Sequence, residues 1–176
     1  MDDFEEALAL EVRRKIYNEI KASPGLHFRE HQRRVGLATG SLQYHLYYLG
    51  KKHLVKMVKE KKFTRFYLIR EGFEQEKEMG VLRQESMRKI VLLLLQKKKA
   101  NNRGISKAIG LSPSTTSWHL QKMLEQQIIE KKRRGRQSYY YLVDPNKAAN
   151  LLVDYRKSFL DTLVDNFAET WQEVKV

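Results

Sequence analysis

Apolar residues open the chain at helical spacing. Phe4, Leu8, Val12, Ile16 and Ile20 lie four apart and predict one amphipathic helix over residues 4–21. Ser23-Pro24-Gly25 ends it. A second, short helix is predicted over residues 28–35, followed by a tight turn at Gly36-Leu37, where glycine adopts the left-handed conformation at little cost. A third helix starts near Thr39, whose hydroxyl is placed to cap it, and buries Leu42, Leu46 and Leu49. Beyond Lys51-Lys52 the period drops to two. Residues 54–59 and 63–69 read as strands around a Glu60-Lys61-Lys62 turn.

The same order then returns. Adding 74 to each number lays the first half on the second with no gap: Arg14-Lys15-Ile16 on Arg88-Lys89-Ile90, Gly36-Leu37 on Gly110-Leu111, His45-Leu46 on His119-Leu120, Tyr67-Leu68 on Tyr141-Leu142. Elsewhere the apolar class is kept, as in Val35 with Ile109 and Leu54-Val55 with Ile128-Ile129. In the second copy a helix reaches Gln96, another lies near residues 105–109, a third starts at Pro113, and a hairpin over 128–143 turns near Gly135. A unit of this size can hold a core of its own, so the repeat reads as two homologous domains, residues 1–72 and 73–145, rather than a solenoid. Residues 146–176 remain as a C-terminal helix. Residues 72–86 link the units, and their helical character predicts a stiff coupling.

Helix, helix, turn, helix and hairpin is the order of a winged helix-turn-helix domain. The expected fold class is mainly α with small β-hairpins (α+β), with two such domains in tandem. The stretches GLATGSLQYHLYYLGKKHLV and GLSPSTTSWHLQKMLEQQII resemble the S-x-x-S-x-H-L-x-x-L-x-x-x-G-L-V stretch of ArsR/MarR-type transcriptional regulators. Over residues 8–143 the chain is similar to archaeal-type regulators that carry two of these domains. Two departures stand out. Gln43 replaces the second serine of the pattern, which Ser117 keeps, and His53 and Gln127 stand where the pattern has glycine before the first strand. The resemblance implies duplex DNA as the partner, with His45 and His119 touching its backbone or bases. A half-buried histidine donating to a nearby carbonyl is the other reading of each.

On a helical wheel Leu46 and Leu49 fall within about 40° of Leu42, while Gly40, Tyr44, Tyr47, Tyr48 and Lys51 point away. The outward set of the second copy is Ser114, Trp118, Gln121, Lys122 and Glu125. Such a face offers donors and acceptors to base edges and phosphates in a major groove. The candidate contacts on the first recognition helix are Thr39, Ser41, Gln43, Tyr44, His45, Tyr47 and Lys51. On the second they are Ser114, Thr115, Ser117, Trp118, His119, Gln121 and Lys122. Exposed tyrosines are costly in water, so either a partner covers Tyr44 and Tyr47 or they pack on the adjacent wing.

Charge sharpens this picture. The net charge is +13, from 34 basic and 21 acidic residues. Residues 1–74 hold 15 basic against 10 acidic, residues 75–145 hold 15 against 6, and residues 146–176 hold 4 against 5. The excess belongs to the two repeats, which favours a polyanionic partner. It gathers at the hairpins, with Lys59, Lys61, Lys62 and Arg65 in the first and Lys131, Lys132, Arg133, Arg134 and Arg136 in the second. There it would flank a recognition helix and meet phosphates or a minor groove.

Other chemistry recedes. With no cysteine there is no disulfide or thiolate zinc site. His27 and His31 lie four apart but lack a third ligand, so neither a metal nor a cofactor is expected. No phosphate-binding glycine loop or nucleophile grouping appears, and the chain reads as a non-enzyme. No apolar run approaches a membrane span, since Ile90 to Leu95 is followed by Lys97-Lys98-Lys99. The acidic start, MDDFEE, is unlike a signal peptide. These features predict a soluble, cytoplasmic, nucleoid-associated protein.

In the tail Leu152, Tyr155, Phe159, Leu163, Phe167 and Trp171 recur every three or four residues. This stripe predicts one long helix that either packs on its own chain or forms a homodimer seam. The leading expectation is a sequence-specific DNA-binding transcriptional regulator. The alternatives are a winged-helix scaffold for other proteins, and an architectural or replication-origin binder with weak sequence preference.

Overall fold

A computed structural model describes residues 3–70 and 75–174. The chain divides after Glu76 into two units. In the first, α1 (Asp3–Ala7) and α2 (Glu11–Ala22) take the place of the single helix expected over 4–21. The backbone breaks before α2, where Leu10 is extended at φ −74° and ψ 126°. The break lets the Phe4 ring meet Tyr17 edge-on at 5.6 Å. A straight helix would hold these two residues about 20 Å apart along its axis. Then come α3 (Phe28–Val35) and α4 (Thr39–Lys51), with Gly36 at φ 69° between them. Thr39 does not cap α4. Ala38 holds the cap position without a side-chain hydrogen bond, and the Thr39 hydroxyl instead accepts from Gln32 Nε2 at 3.0 Å.

The first wing is β1 (Val55–Lys59) paired antiparallel with β2 (Thr64–Leu68), Val55 opposite Leu68 and Lys59 opposite Thr64. Ile16, Ile20, Val35, Leu42, Leu46, Leu49, Val55, Phe66 and Leu68 form one core. Helix and strand residues meet there because the period-3.6 and period-2 stripes both point inward. A segment ahead of α3 runs beside β2, where the Gly25 N–H donates to Phe66 O at 2.9 Å.

The second unit repeats the plan after α5 (Glu76–Leu82), a helix that begins at the division. It comprises α6 (Glu85–Lys97), β3 (Ala100–Asn101), α7 (Asn102–Ile109), α8 (Pro113–Glu125), β4 (Ile129–Arg134) and β5 (Gln137–Leu142). The sheet has three strands in the order β3-β5-β4, not the expected two. A two-residue strand is too short to show a period. Ile90, Leu94, Leu120, Met123, Ile129, Tyr140 and Leu142 are buried at the positions equivalent to the first core. Residues 72–74 of the expected stiff link lie outside the described residues.

The tail is not one helix. It folds as α9 (Pro145–Asp154), α10 (Arg156–Phe159) and α11 (Thr162–Val174), the last two separated by Leu160 at φ 53°. The reversal carries α11 back onto α9, and Leu152 and Val164 are both fully buried. Leu152 and Phe159, read as seam residues, therefore belong to the unit's interior. Phe159 lies under the Arg83 guanidinium at 4.5 Å. Among the described residues no helix is long and apolar enough to cross a membrane.

Helices α4 and α8 end alike. His53 sits at φ 54° and Gln127 at φ 59°. The His53 N–H donates to Gly50 O and the Leu54 N–H to Leu49 O, each at 3.0 Å. Gln127 and Ile128 repeat this on Leu124 O and Met123 O, each at 3.0 Å. This is the Schellman closure, whose left-handed residue favours glycine. A side chain there costs about 1–2 kcal/mol, partly offset by the extra chain entropy a glycine loses on folding. His53→Gly and Gln127→Gly should each therefore add about 0.5–1 kcal/mol to the unfolding free energy. A raised urea midpoint at unchanged slope would bear this out, and a lowered one would refute it.

Candidate nucleic-acid interface

The core stripe of α4 (Leu42, Leu46, Leu49) leaves the opposite face in solvent. Tyr44 and Tyr47 are each 59% exposed, so neither packs away on the wing. Lys51 Nζ stands 5.1 Å above the Tyr47 ring, and Tyr44 meets His45 edge-on at 5.1 Å. Thr39, Gln43 and Lys51 are exposed and Ser41 is half-buried. Tyr48, expected to point outward, is half-buried instead. The Arg13 guanidinium covers its ring at 3.5 Å. Its angle on the wheel lies close enough to the core for α2 to reach it.

On α8 the equivalent of Tyr44 is Trp118, 60% exposed and edge-on to His119 at 5.0 Å. Lys122 Nζ lies 5.5 Å from the indole. Here the polar groups are tied down locally. Ser112 caps the helix by accepting from Thr115 N at 3.1 Å, and its hydroxyl also reaches Ser114 at 3.0 Å. Asn102 Nδ2 donates to Ser117 Oγ at 2.8 Å, and Gln121 Nε2 to Glu125 at 3.2 Å. These bonds hold the side chains in one arrangement and engage the amide donors of Asn102 and Gln121, while Ser117 accepts.

His45 and His119 sit where the exposed face meets the core. Nδ1 of each is buried without a hydrogen-bond partner, so that nitrogen does not donate to a neighbouring carbonyl. Burial depresses both pKa values. Arg13 adds to the effect at His45 and Lys122 at His119. Both shifts favour the neutral ring. An unpartnered buried Nδ1 is better left unprotonated, which places the ring proton on Nε2 as a donor.

The second wing reaches beyond its core. Past Ile129 every residue of β4 is exposed, including Lys131, Lys132, Arg133 and Arg134, and Arg136 follows the Gly135 turn at φ 61°. Lys132 is partly neutralised by Glu130 at 2.7 Å. In the first wing Lys59, Lys61 and Lys62 are exposed. Arg65 is not: it is 5% exposed, donates to Gly25 O at 2.8 Å and pairs with Glu60 at 3.0 Å. The reading of Arg65 as a wing contact is thus corrected. Its register on β2 turns it toward the segment ahead of α3, which periodicity within the hairpin could not show.

A shallow depression of about 670 Å³ adjoins the start of α4, lined by Phe28, Arg29, Gln32, Arg33, Thr39 and Gln43. Arg29 and Arg33 are exposed on α3, and their equivalents Arg103 and Lys107 are exposed on α7. Sequence reasoning missed these four. Their signal was a basic pair four apart that recurs at the 74-residue offset. His31 is buried edge-on to Phe66 at 5.7 Å, and His27 stacks on Phe63 at 5.1 Å. Among the described residues no group of three or more His, Asp or Glu side chains is placed to hold a metal.

Residues 10–79 match a family model described as an N-terminal HTH domain, and residues 83–130 match a winged helix-turn-helix DNA-binding model. An uncharacterized HTH-type transcriptional regulator of Methanocaldococcus jannaschii is 31% identical over 142 residues. That alignment takes in 80% of this chain but 35% of the relative, so the chain spans about a third of the length of the curated relative it matches. Among solved structures, the antimony-specific transcriptional repressor AntR is 23% identical, with a TM-score of 0.39 over 42% of this chain and 67% of that one. The homodimeric winged helix-turn-helix DNA-binding domain of a possible ArsR-family transcriptional regulator from Mycobacterium bovis is 19% identical. Its TM-score is 0.41 over 54% of this chain and 95% of that one.

Proposed function

This chain belongs to the winged helix-turn-helix proteins and carries two such domains in tandem, and we propose on that basis that it is a sequence-specific, duplex-DNA-binding transcriptional regulator. The observation that carries the reading is a surface built twice. Each unit pairs an exposed aromatic–histidine step on its recognition helix with a basic wing. In this reading Gln43, Tyr44, His45, Tyr47 and Lys51, with Ser114, Trp118, His119 and Gln121, meet base edges and phosphates in the major groove. Lys59, Lys61 and Lys62 and the arginines of the second wing hold the backbone or minor groove. Arg29, Arg33, Arg103 and Lys107 add backbone contacts, as the first helix of a helix-turn-helix crosses the phosphates. The role is one of binding, without catalysis, at the cytoplasmic nucleoid.

Fluorescence-anisotropy titration of random-sequence duplex over a range of salt tests this. Tight binding that weakens steeply with salt supports it. No binding at low salt would sink it and turn attention to a protein partner for the exposed rings of Tyr44, Tyr47 and Trp118.

A homodimer is the companion proposal, through a stripe shifted from the expected one. Leu160 is 84%, Leu163 48% and Val174 78% exposed, with Phe167 and Trp171 stacked at 5.6 Å between them. A second copy of α11 would cover these residues, giving a two-fold assembly suited to a palindromic site. Sedimentation equilibrium should report a dimer for the wild type and a monomer for Leu160→Asp/Leu163→Asp. A monomeric wild type at tens of micromolar, about the range in which such an interface would still be populated, would remove the proposal.

A further inference from the structure

The two wings end in different chemistry. In the second, the turn runs Arg134-Gly135-Arg136-Gln137, with Gly135 left-handed and both arginines in solvent. At the equivalent positions the first has Glu60-Lys61-Lys62-Phe63. The Glu60 N–H donates to Phe63 O at 2.7 Å and closes a two-residue loop. The Glu60 carboxylate is drawn to the buried Arg65 at 3.0 Å, so the tip keeps the charge of Lys61 and Lys62. Phe63 is 51% exposed, and one face of its ring lies on His27 at 5.1 Å and 18°. The ring is thus braced from behind, with its other face open.

We propose that the two wings read different DNA shapes: the arginines of the second wing seat in a narrow A·T-rich minor groove, while Phe63 presses on a flexible pyrimidine–purine step and partly unstacks it. The inference rests on the duplex-binding reading above. A-tracts have a narrow groove of enhanced negative potential that draws guanidinium groups. TA and CA steps kink at low cost, and apolar side chains wedge into them from the minor groove. His27 serves as the positioning residue that keeps the Phe63 ring from folding back. The flanking lysines supply attraction that is indifferent to sequence.

The test uses three duplexes of equal length carrying a central A-tract, a central TA step or neither, with 2-aminopurine beside the TA step in a fourth. Wild type, Phe63→Ala, Lys61→Gln/Lys62→Gln and Arg134→Gln/Arg136→Gln are titrated over a range of salt. Phe63→Ala should lose about tenfold on the TA duplex, the scale of one ring–base contact, and little on the A-tract. Its salt slope should match wild type, because the ring releases no counterion. Wild type should brighten the 2-aminopurine and Phe63→Ala should not. Arg134→Gln/Arg136→Gln should lose the A-tract preference and about two units of slope. An equal loss of Phe63→Ala on all duplexes, or a slope reduced as in Lys61→Gln/Lys62→Gln, would show that the ring only shapes the tip and would overturn the inference. Wild-type binding with no preference among the duplexes overturns it too. Absence of any duplex binding overturns the regulator reading itself.

Discussion

Exchanging Lys131, Arg133, Arg134 and Arg136 together for glutamine should weaken duplex binding by up to about three orders of magnitude near 0.1 M salt. Each phosphate neutralised contributes about 0.9 to the slope of log affinity on log salt, so four lost contacts remove roughly three to four units. These four are chosen because all are exposed and none is held by a carboxylate, whereas Lys132 is paired with Glu130 at 2.7 Å. The buried side of the hairpin ends at Ile129, Tyr140 and Leu142, so the exchange leaves the core alone and the unfolding transition should stay in place. The affinity loss should be equal on duplexes without an A-tract, since charge lost at a backbone carries no base preference, and larger on an A-tract, where Arg134 and Arg136 also give up the narrow groove. A parallel shift of the salt plot with no change of slope would mean that the second wing does not touch phosphate.

Asp161→Ala should cost about 3–5 kcal/mol of stability, the largest effect expected of any single change. Asp161 Oδ2 accepts from Arg88 Nε at 2.8 Å, with the two side chains only 12% and 9% exposed. Arg88 also donates to Leu82 O at 2.8 Å and lies 5.5 Å from the Phe159 ring. Removing the carboxylate leaves a guanidinium buried without its counter-charge. Asp161 has a second task, accepting from Leu163 N at 3.0 Å at the start of α11, and the loss of that cap accounts for about 1 kcal/mol. Asp161→Asn keeps the cap and removes only the charge, so it separates the two contributions. Replacing both partners, as in Arg88→Met/Asp161→Leu, should cost much less than Asp161→Ala, because no orphaned charge remains. Urea unfolding of the four proteins checks this, and a cost below about 1 kcal/mol for Asp161→Ala would show that the pair is not what holds the tail to its unit.

The pair also explains where sequence reading stopped. Arg88 and Asp161 are 73 residues apart, and no local pattern joins them. The 74-residue repeat even hides the connection, since Arg88 falls on Arg14, which is exposed and reaches only Leu8 O at 3.4 Å. Arg65 and Tyr48 were misread for the same reason. A wheel or a strand register says which way a side chain leaves its own element. It does not say what another element has brought alongside.

Within one element, the sequence by itself determined a great deal. The stripe Leu42-Leu46-Leu49 is buried as its spacing requires, and Gly36 and Gly110 are left-handed as their turns require. The exposed Tyr44 and Trp118 follow from the same wheel. These features depend on period and backbone conformation, which neighbours along the chain impose. Only the tertiary structure decided that residues 4–21 break at Leu10, that the tail folds back at Leu160, and that β3 joins the second wing. It also decided that Arg65 turns inward while Phe63 stays out, braced on His27. Those outcomes turn on contacts between elements, whose energy is set by what lies opposite rather than by what lies next in the chain.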